Sequence, residues 1–478
     1  LEHMTRLQPS LMEVTRALAD RARAARFNFG EDTAIVAVQH MLWQTIDLFE
    51  AVVSLGVKRE NIFALGKVYS NSPIVIGALR DQGITIVEST MPAPGEFKPY
   101  FVHDVECLWE VVARTLARRN IKRILVLDDG GRCITRMPVE LSRKYQVAGV
   151  EQTSFGMFLF EEDPPPFAVV SWARAAVKLH IGGPIFSHCL LTKLQSRVLG
   201  GDLLTNEDAG IIGLGSIGSA MAHLLVRQRN RVLYYDPDPH VPSYLHGRVT
   251  RADSLEELML RSNYVFGCSG RQPFKDQWPV RYRPGIKLFS ASAGDQEFNP
   301  LIKDLINTPN LNVTPHAWDI CAPHGPSGPI TIAYMGYPYN FVSRDIEAVP
   351  TAVVQIETGG LLAALLQARL HLSISEAEEV QNRGIQRTSP EAQSLIYETW
   401  RTAMKGRRID LHQVYGFDRN LLHATRQRWW FFNHSEPQPS LSFDSNLAVE
   451  NLMAHIIDER HPSEFGYERQ FEPDLSPF

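Results

Sequence analysis

The stretch that most constrains this chain is Ala209–Asp236, AGIIGLGSIGSAMAHLLVRQRNRVLYYD. An apolar run enters Gly213-Leu214-Gly215-Ser216-Ile217-Gly218, a helical pattern follows, and a second apolar run ends on Asp236. A G-x-G-x-x-G alone says little, because glycines punctuate many loops. Here strand, turn, helix, strand and a later acidic residue stand in the order of a dinucleotide-binding βαβ unit. Gly213 permits the tight turn, Gly215 admits a pyrophosphate close to backbone N–H groups, and Gly218 lets the helix sit on the sheet. The helix, opened by Ser216 and Ile217, points unpaired N–H groups at the phosphates. Asp236 is expected to accept the ribose hydroxyls and repel a 2′-phosphate, so the expected cofactor is NAD rather than NADP. A purely structural βαβ unit is the weaker reading.

Composition narrows the rest. A chain of 478 residues accommodates two or three domains. Its 44% hydrophobic and 21% charged residues are those of an ordinary globular protein. A net charge of −5 gives no basic footprint, so neither nucleic acid nor a membrane surface is an expected partner. No secretory signal or bilayer-length apolar run is evident. Leu1-Glu2-His3, ahead of Met4, reads as a cloning remnant. The five cysteines contain no C-x-x-C, which argues against a disulfide framework or a metal site and for a cytoplasmic location.

Along the chain, Ser10–Phe27 has helical periodicity. Short β-rich runs (Ala34–Val38, Asn61–Leu65, Ile84–Val87, Ile124–Leu127, Phe167–Val170) then alternate with helical stretches such as Trp43–Leu55 and Val105–Arg118. The expected class is α/β: a Rossmann-type NAD-binding domain, a discontinuous open α/β substrate-binding domain and an extended C-terminal region. The expected division is residues 4–185 for the first part of the substrate domain and 186–346 for the Rossmann domain. Residues 347–405 form a helical return to the substrate domain, carried by Val349–Leu370, and 406–478 a C-terminal extension suited to an oligomer contact. Within that extension Arg428-Trp429-Trp430-Phe431-Phe432 reads as core or subunit interface.

Ligands of open parallel sheets sit at the strands' carboxyl ends. That draws attention to Gln39-His40, Asp128-Asp129-Gly130-Gly131 and Val150-Glu151-Gln152-Thr153. His40 alone reads more readily as a structural hydrogen bonder than as a catalyst. The adjacent carboxylates of Asp128 and Asp129 suit acid/base work as well as they suit loop solvation or helix capping. Lys178, beside His180 in an apolar run, is either a snorkelling surface lysine or a tuned proton carrier.

Taken together and in order, these fragments resemble S-adenosylhomocysteine hydrolase across roughly Ala34 to Leu362. The resemblance rests on Gln39-His40-Met41, Leu127-Asp-Asp-Gly-Gly131, Gly149-Val-Glu-Gln-Thr153 with Gly156, Lys178, and the NAD fingerprint. Cys268-Ser269-Gly270, Met335-Gly-Tyr-Pro338 and Gln355-Ile-Glu357 complete it. It implies an enzyme whose tightly bound NAD oxidises a ribose 3′-hydroxyl transiently, so that a modest base can remove the neighbouring proton and expel the 5′ substituent. It implies that Asp129 and Lys178 manage the hydroxyl proton and that His40 acts near the leaving group. Thr153, Ser154, Cys268, Ser269, Gly270 and Ala291 are then expected beside the cofactor, and homo-oligomerisation is expected.

The departures bear on substrate. Leu42 and Gln44 replace two polar positions expected near adenine, and Arg132 replaces an aspartate. Gln152 stands where the family has a carboxylate, Gly182-Gly183 where it has an aspartate–asparagine pair, and Ala293 and Tyr337 where it has histidines. Losing proton-handling groups costs orders of magnitude in rate, so ordinary hydrolysis of S-adenosylhomocysteine is the minor expectation. The main one is a diverged enzyme acting on a secondary hydroxyl of a nucleoside or sugar derivative, with His40, Asp129, Lys178 and Gln152 at its centre. A non-catalytic NAD-binding regulator is the alternative. An ordinary hydroxyacid dehydrogenase leaves the N-terminal anchors unexplained.

Overall fold

The computed structural model describes residues 12–275, 279–315, 317–342, 348–349, 351–373 and 384–406, with 453 and 457. Fifteen strands in these residues form two sheets. In the first, β1 (Thr33–Gln39), β2 (Ile62–Gly66), β3 (Thr85–Val87), β4 (Arg123–Asp128), β5 (Gln146–Glu151) and β6 (Ala168–Ser171) are joined by a late strand, β15 (Gly384–Arg387). Their spatial order is β15-β6-β5-β4-β1-β2-β3, and every pairing is parallel. The central strand β1, TAIVAVQ, is buried along its whole length, as a strand covered on both faces must be. The chain turns back between β1 and β4, which makes their carboxyl ends the switch point where such sheets bind ligands.

The second sheet holds β7 (Asp208–Ile212), β8 (Arg231–Tyr235), β9 (Thr250–Arg251), β10 (Tyr264–Gly267), β11 (Ile286–Ser290), β12 (Asn312–Val313), β13 (Ile320–Ala322) and β14 (Ile330–Ile332). Its order is β12-β13-β14-β11-β10-β7-β8-β9, antiparallel only at the β12–β13–β14 edge. Its switch point lies between β7 and β10. The α/β class is as expected.

Most expected elements lie within a few residues of their positions, and the exceptions are physical. The long helix begins at Phe97, eight residues ahead of the expected Val105, because Phe97 and Phe101 are buried and extend its apolar face. β15 went unanticipated: GIQR carries too little apolar signal to mark a strand, and only pairing with β6 makes it one. The apolar helix Thr351–His371 packs on helices Glu13–Ala24 and Trp43–Ser54 and against β5 and β6. Met453 and Ile457 are buried in that same core. Arg428–Phe432 and the remainder of the C-terminal extension lie outside the described residues. No described helix is long and apolar enough to cross a membrane, and no metal-ligand cluster occurs among the described residues.

His371 ends the long helix almost completely buried, and neither ring nitrogen finds a partner among the described residues. Burial pushes its pKa down to about 4. The folded state therefore excludes a proton that the unfolded chain accepts below about pH 6.5. Stability is expected to fall by about 3 kcal/mol as pH drops from 6.5 to 4. Urea midpoints of the wild type and of His371→Leu across that range check this, since the substitution should remove that part of the acid limb.

Candidate functional site

Four loops close the first sheet at its switch point, and each delivers one polar side chain. His40 follows β1, Lys67 follows β2, Asp129 follows β4 and Gln152 follows β5. They meet. His40 Nε2 lies 3.1 Å from Asp129 Oδ2, Lys67 Nζ pairs with Asp129 Oδ1, and Gln152 Nε2 donates to Asp129 Oδ2. Gln152 Oε1 in turn accepts from Gln39 Nε2 at 2.8 Å. Asp129 and Lys67 are buried, so solvation does not explain Asp129. Burial alone would raise the Asp129 carboxyl, but Lys67 and then His40 hold it well below the usual carboxylate range. Burial alone would likewise lower Lys67, and Asp129 overrides it upward. His40 moves the other way: burial outweighs Asp129 and lowers its pKa, which keeps the imidazole neutral near pH 7.

Ser70 Oγ lies 2.6 Å from His40 Nδ1, so a hydroxyl, an imidazole and a carboxylate stand in series. Ser70 is completely buried, and its hydroxyl lies between His40 Nδ1 and the Lys67 carbonyl, 3.3 Å away. Beside it, Phe341 stacks on His40 with centroids 4.4 Å apart, and Tyr337 stacks on Tyr69 at 4.8 Å. Phe341 and Tyr337 come from the chain after β14, so the second sheet's segment seals this side of the site. That segment is strained: Tyr334 and Met335 both have φ above +50°, and Trp318, ahead of β13 and stacked on Tyr334, does too.

Asp128 and Glu151 hold the loops in shape. Asp128 Oδ2 accepts from Ile134 N–H at 2.8 Å, and burial lifts its pKa to about 7. Glu151 accepts from the N–H groups of Gly130, Gly131 and Thr153 and from the Thr153 hydroxyl. Thr153 also caps helix Ser154–Glu162 through Gly156 N–H. The Thr153 hydroxyl, expected beside the cofactor, is thus engaged locally.

Lys178 opens a single π turn, Lys178–Gly182, of the kind that recurs at functional positions. It is neither a free surface lysine nor the partner of Asp129. Its Nζ lies 2.8 Å from Glu357 Oε2, which also accepts from Trp172 Nε1 at 2.9 Å. The missing Asp–Asn pair has a steric counterpart here: a Cβ at Gly182 would stand 2.1 Å from Glu357 Oε1, and one at Gly183 2.2 Å from Ser216 Oγ. Ser216 donates to the Leu179 carbonyl, so this turn abuts the fingerprint helix.

The fingerprint loop fits a dinucleotide. A Cβ at Gly213 would meet Ser269 Cα at 2.6 Å and one at Gly218 would meet the Gly213 carbonyl at 1.8 Å, whereas one at Gly215 would meet nothing within 4 Å. Helix Ser216–Arg227 has no side-chain cap, which leaves its first amides for phosphate. Asp236 closes β8 and accepts from Leu214 N–H at 2.5 Å and Asp238 N–H at 2.9 Å, so it also braces the loop. Cys268-Ser269-Gly270 ends β10 across the switch point. Glu297 fixes it by accepting from Ser269 N–H and hydroxyl, and Ser292 accepts from Gly270 N–H. Ala291 N–H bonds the Gly267 carbonyl at the same edge.

Lys67 and Glu297 were not singled out in sequence. Nothing about a lysine after Ala-Leu-Gly marks it, except that it closes a strand.

This sheet and loop define a dehydrogenase-type domain. Residues 192–272 match the family model for the NAD-binding domain of D-isomer specific 2-hydroxyacid dehydrogenases. The chain thus carries an NAD-binding domain, and its cofactor is NAD. An uncharacterized protein of Mycobacterium tuberculosis, in strains CDC 1551 and H37Rv, is 30% identical over 369 residues, 77% of this chain and 69% of its own length. The chain belongs to the family of that mycobacterial protein.

Proposed function

We propose that this protein is a diverged relative of S-adenosylhomocysteine hydrolase that transiently oxidises a secondary hydroxyl of a nucleoside or sugar derivative. The observation that supports it is the contact between Lys178's π turn and the fingerprint helix, through Leu179 and Ser216. That contact supports a role for Lys178 beside the cofactor crevice. NAD, when bound, supplies a hydride acceptor. Lys178, oriented by Glu357, holds or takes the hydroxyl proton. His40, neutral and tied to Asp129 through Nε2, is held in place by Ser70 at Nδ1 and acts near the leaving group. Gln152 cannot act as a base and instead orients Asp129. The ordinary reaction on S-adenosylhomocysteine is not the proposal, because Gln152 and Ala293 lack the proton-handling groups that family uses.

Lys178→Ala is expected to lower turnover-dependent cofactor reduction by about a hundredfold or more, with Lys178→Arg retaining NAD. The test is reduced-nicotinamide absorbance during a screen of nucleosides and sugars, with S-adenosylhomocysteine as control. Equal rates in the wild type and Lys178→Ala would remove the lysine from the mechanism. The packing of Tyr337 and Phe341 against Tyr69 and His40 favours the second reading, a non-catalytic NAD-binding protein. That reading predicts retained NAD that no secondary alcohol reduces.

A further inference from the structure

We propose that Arg174 and Arg271 form an anion clamp over Phe158, and that it takes a phosphate or carboxylate group carried by the substrate. This deepens the catalytic reading above and rests on it for the word substrate alone.

The two arginines come from the two sheets. Arg174 lies just beyond β6, its N–H donating to Ser171 Oγ at 3.3 Å, and one turn ahead of Lys178. Arg271 follows Cys268-Ser269-Gly270 at the end of β10, its N–H donating to Ser269 Oγ at 3.0 Å. Their guanidinium carbons lie 5.3 Å and 3.9 Å from the centroid of the same Phe158 ring. That ring also reaches Gly270, where a Cβ would stand 3.7 Å from Phe158 Cε2. Phe158 is thus a shared platform, and cation–π contact fixes both guanidinium planes while leaving N–H edges available.

The charge around this platform is incomplete. Glu161 is the one carboxylate within ion-pair range of either guanidinium among the described residues, and it stands 3.9 Å from Arg271. Arg174 has no ion pair among the described residues, and its Nε is buried without a hydrogen-bond partner. Burial lowers its pKa, and Arg271 lowers it further against the pull of Glu161. A half-buried cation with an unmet donor beside a like charge is costly to keep. An oxyanion removes that cost, because guanidinium forks match phosphate and carboxylate oxygens two at a time. Arg271 directly follows the Cys268–Gly270 loop, and Arg174 lies shortly ahead of Lys178 in the chain. The ligand class is therefore a small polyol or nucleoside bearing an anionic group, such as a sugar phosphate or sugar acid.

The test is calorimetric titration of the protein as purified with ribose 5-phosphate, ribonate and ribose, with NAD content measured on the same samples. Binding of one of the anions but not of ribose is expected, and whichever anion binds tighter identifies the group. Arg174→Gln and Arg271→Gln should each weaken that binding about tenfold or more with NAD content unchanged. Glu161→Gln, which removes the competing carboxylate, should tighten it, a gain that misfolding cannot imitate. Absence of anion binding, or binding equal in all three variants, overturns the clamp. Parallel loss of NAD in Arg174→Gln also overturns it, by assigning the arginines to the dinucleotide's own phosphates. NAD-free protein that still binds an anion through both arginines keeps the clamp and counts against the redox reading.

Discussion

Asp129→Asn is expected to destabilise the protein by about 3 kcal/mol and to abolish any turnover. Asp129 is buried and answers to three groups at once, the Lys67 ammonium, the His40 ring and the Gln152 amide. The asparagine keeps the shape but strands the Lys67 charge in a dry site. Its pH signature is specific. In the wild type Lys67 has a raised pKa, so both folded and unfolded chains hold its proton through neutral pH. In the variant burial is opposed only by the lesser pulls of Tyr69 and Glu151, and folded Lys67 is expected to release its proton below the unfolded value of about 10.4. The unfolded chain then binds more protons, and the variant's stability should rise with pH through the mildly alkaline range. Urea midpoints at neutral and alkaline pH measure both effects. Asp129→Leu with Lys67→Met should restore much of the stability, because it removes the whole buried pair. An Asp129→Asn protein as stable as the wild type, with no alkaline rise, would mean that Lys67 is not held as a buried ammonium.

Gly215→Ala and Gly218→Ala separate cofactor binding from folding within one loop. A methyl at Gly215 meets nothing and suits its φ of −66°, so it should cost about 1 kcal/mol or less, the usual difference between Gly and Ala at an N-cap. It occupies the space through which a pyrophosphate approaches the amides, and NAD affinity should fall about a hundredfold. A methyl at Gly218 collides with the Gly213 carbonyl and forces helix and strand apart, at a cost of about 3 kcal/mol or more. Thermal melts with and without NAD distinguish the two. Gly215→Ala should melt nearly as the wild type does without NAD and gain little from it. Gly218→Ala should melt early in either case. Undiminished NAD stabilisation in Gly215→Ala would contradict the placement of the pyrophosphate over that glycine.

Much of this was legible in sequence because the signals are local. The fingerprint is contiguous, and strands such as Ala34–Val38 announce themselves by unbroken apolar runs. His40, Asp129 and Gln152 follow from a single rule, that residues closing parallel strands face the ligand edge. Lys67 closes β2 under the same rule, yet its meaning arises only when the sheet brings it to Asp129, 62 residues away in sequence. The Glu357 partner of Lys178 is more distant still, 179 residues on, so the lysine read as either solvated or tuned. Tyr337 is legible as a substitution, but its packing on Tyr69 depends on how the strained Tyr334–Met335 segment enters the site. β15 and the Arg174–Phe158–Arg271 platform are likewise products of assembly that no single stretch encodes.

The most direct measurement of the central claim is the nucleotide released when the purified, undialysed protein is denatured, followed by cofactor reduction in the native protein. Near-stoichiometric NAD is expected, with no hydrolysis of S-adenosylhomocysteine and a reduced-nicotinamide signal with a nucleoside or sugar derivative that Lys178→Ala loses. Protein that neither carries NAD nor takes it up on addition would contradict that claim.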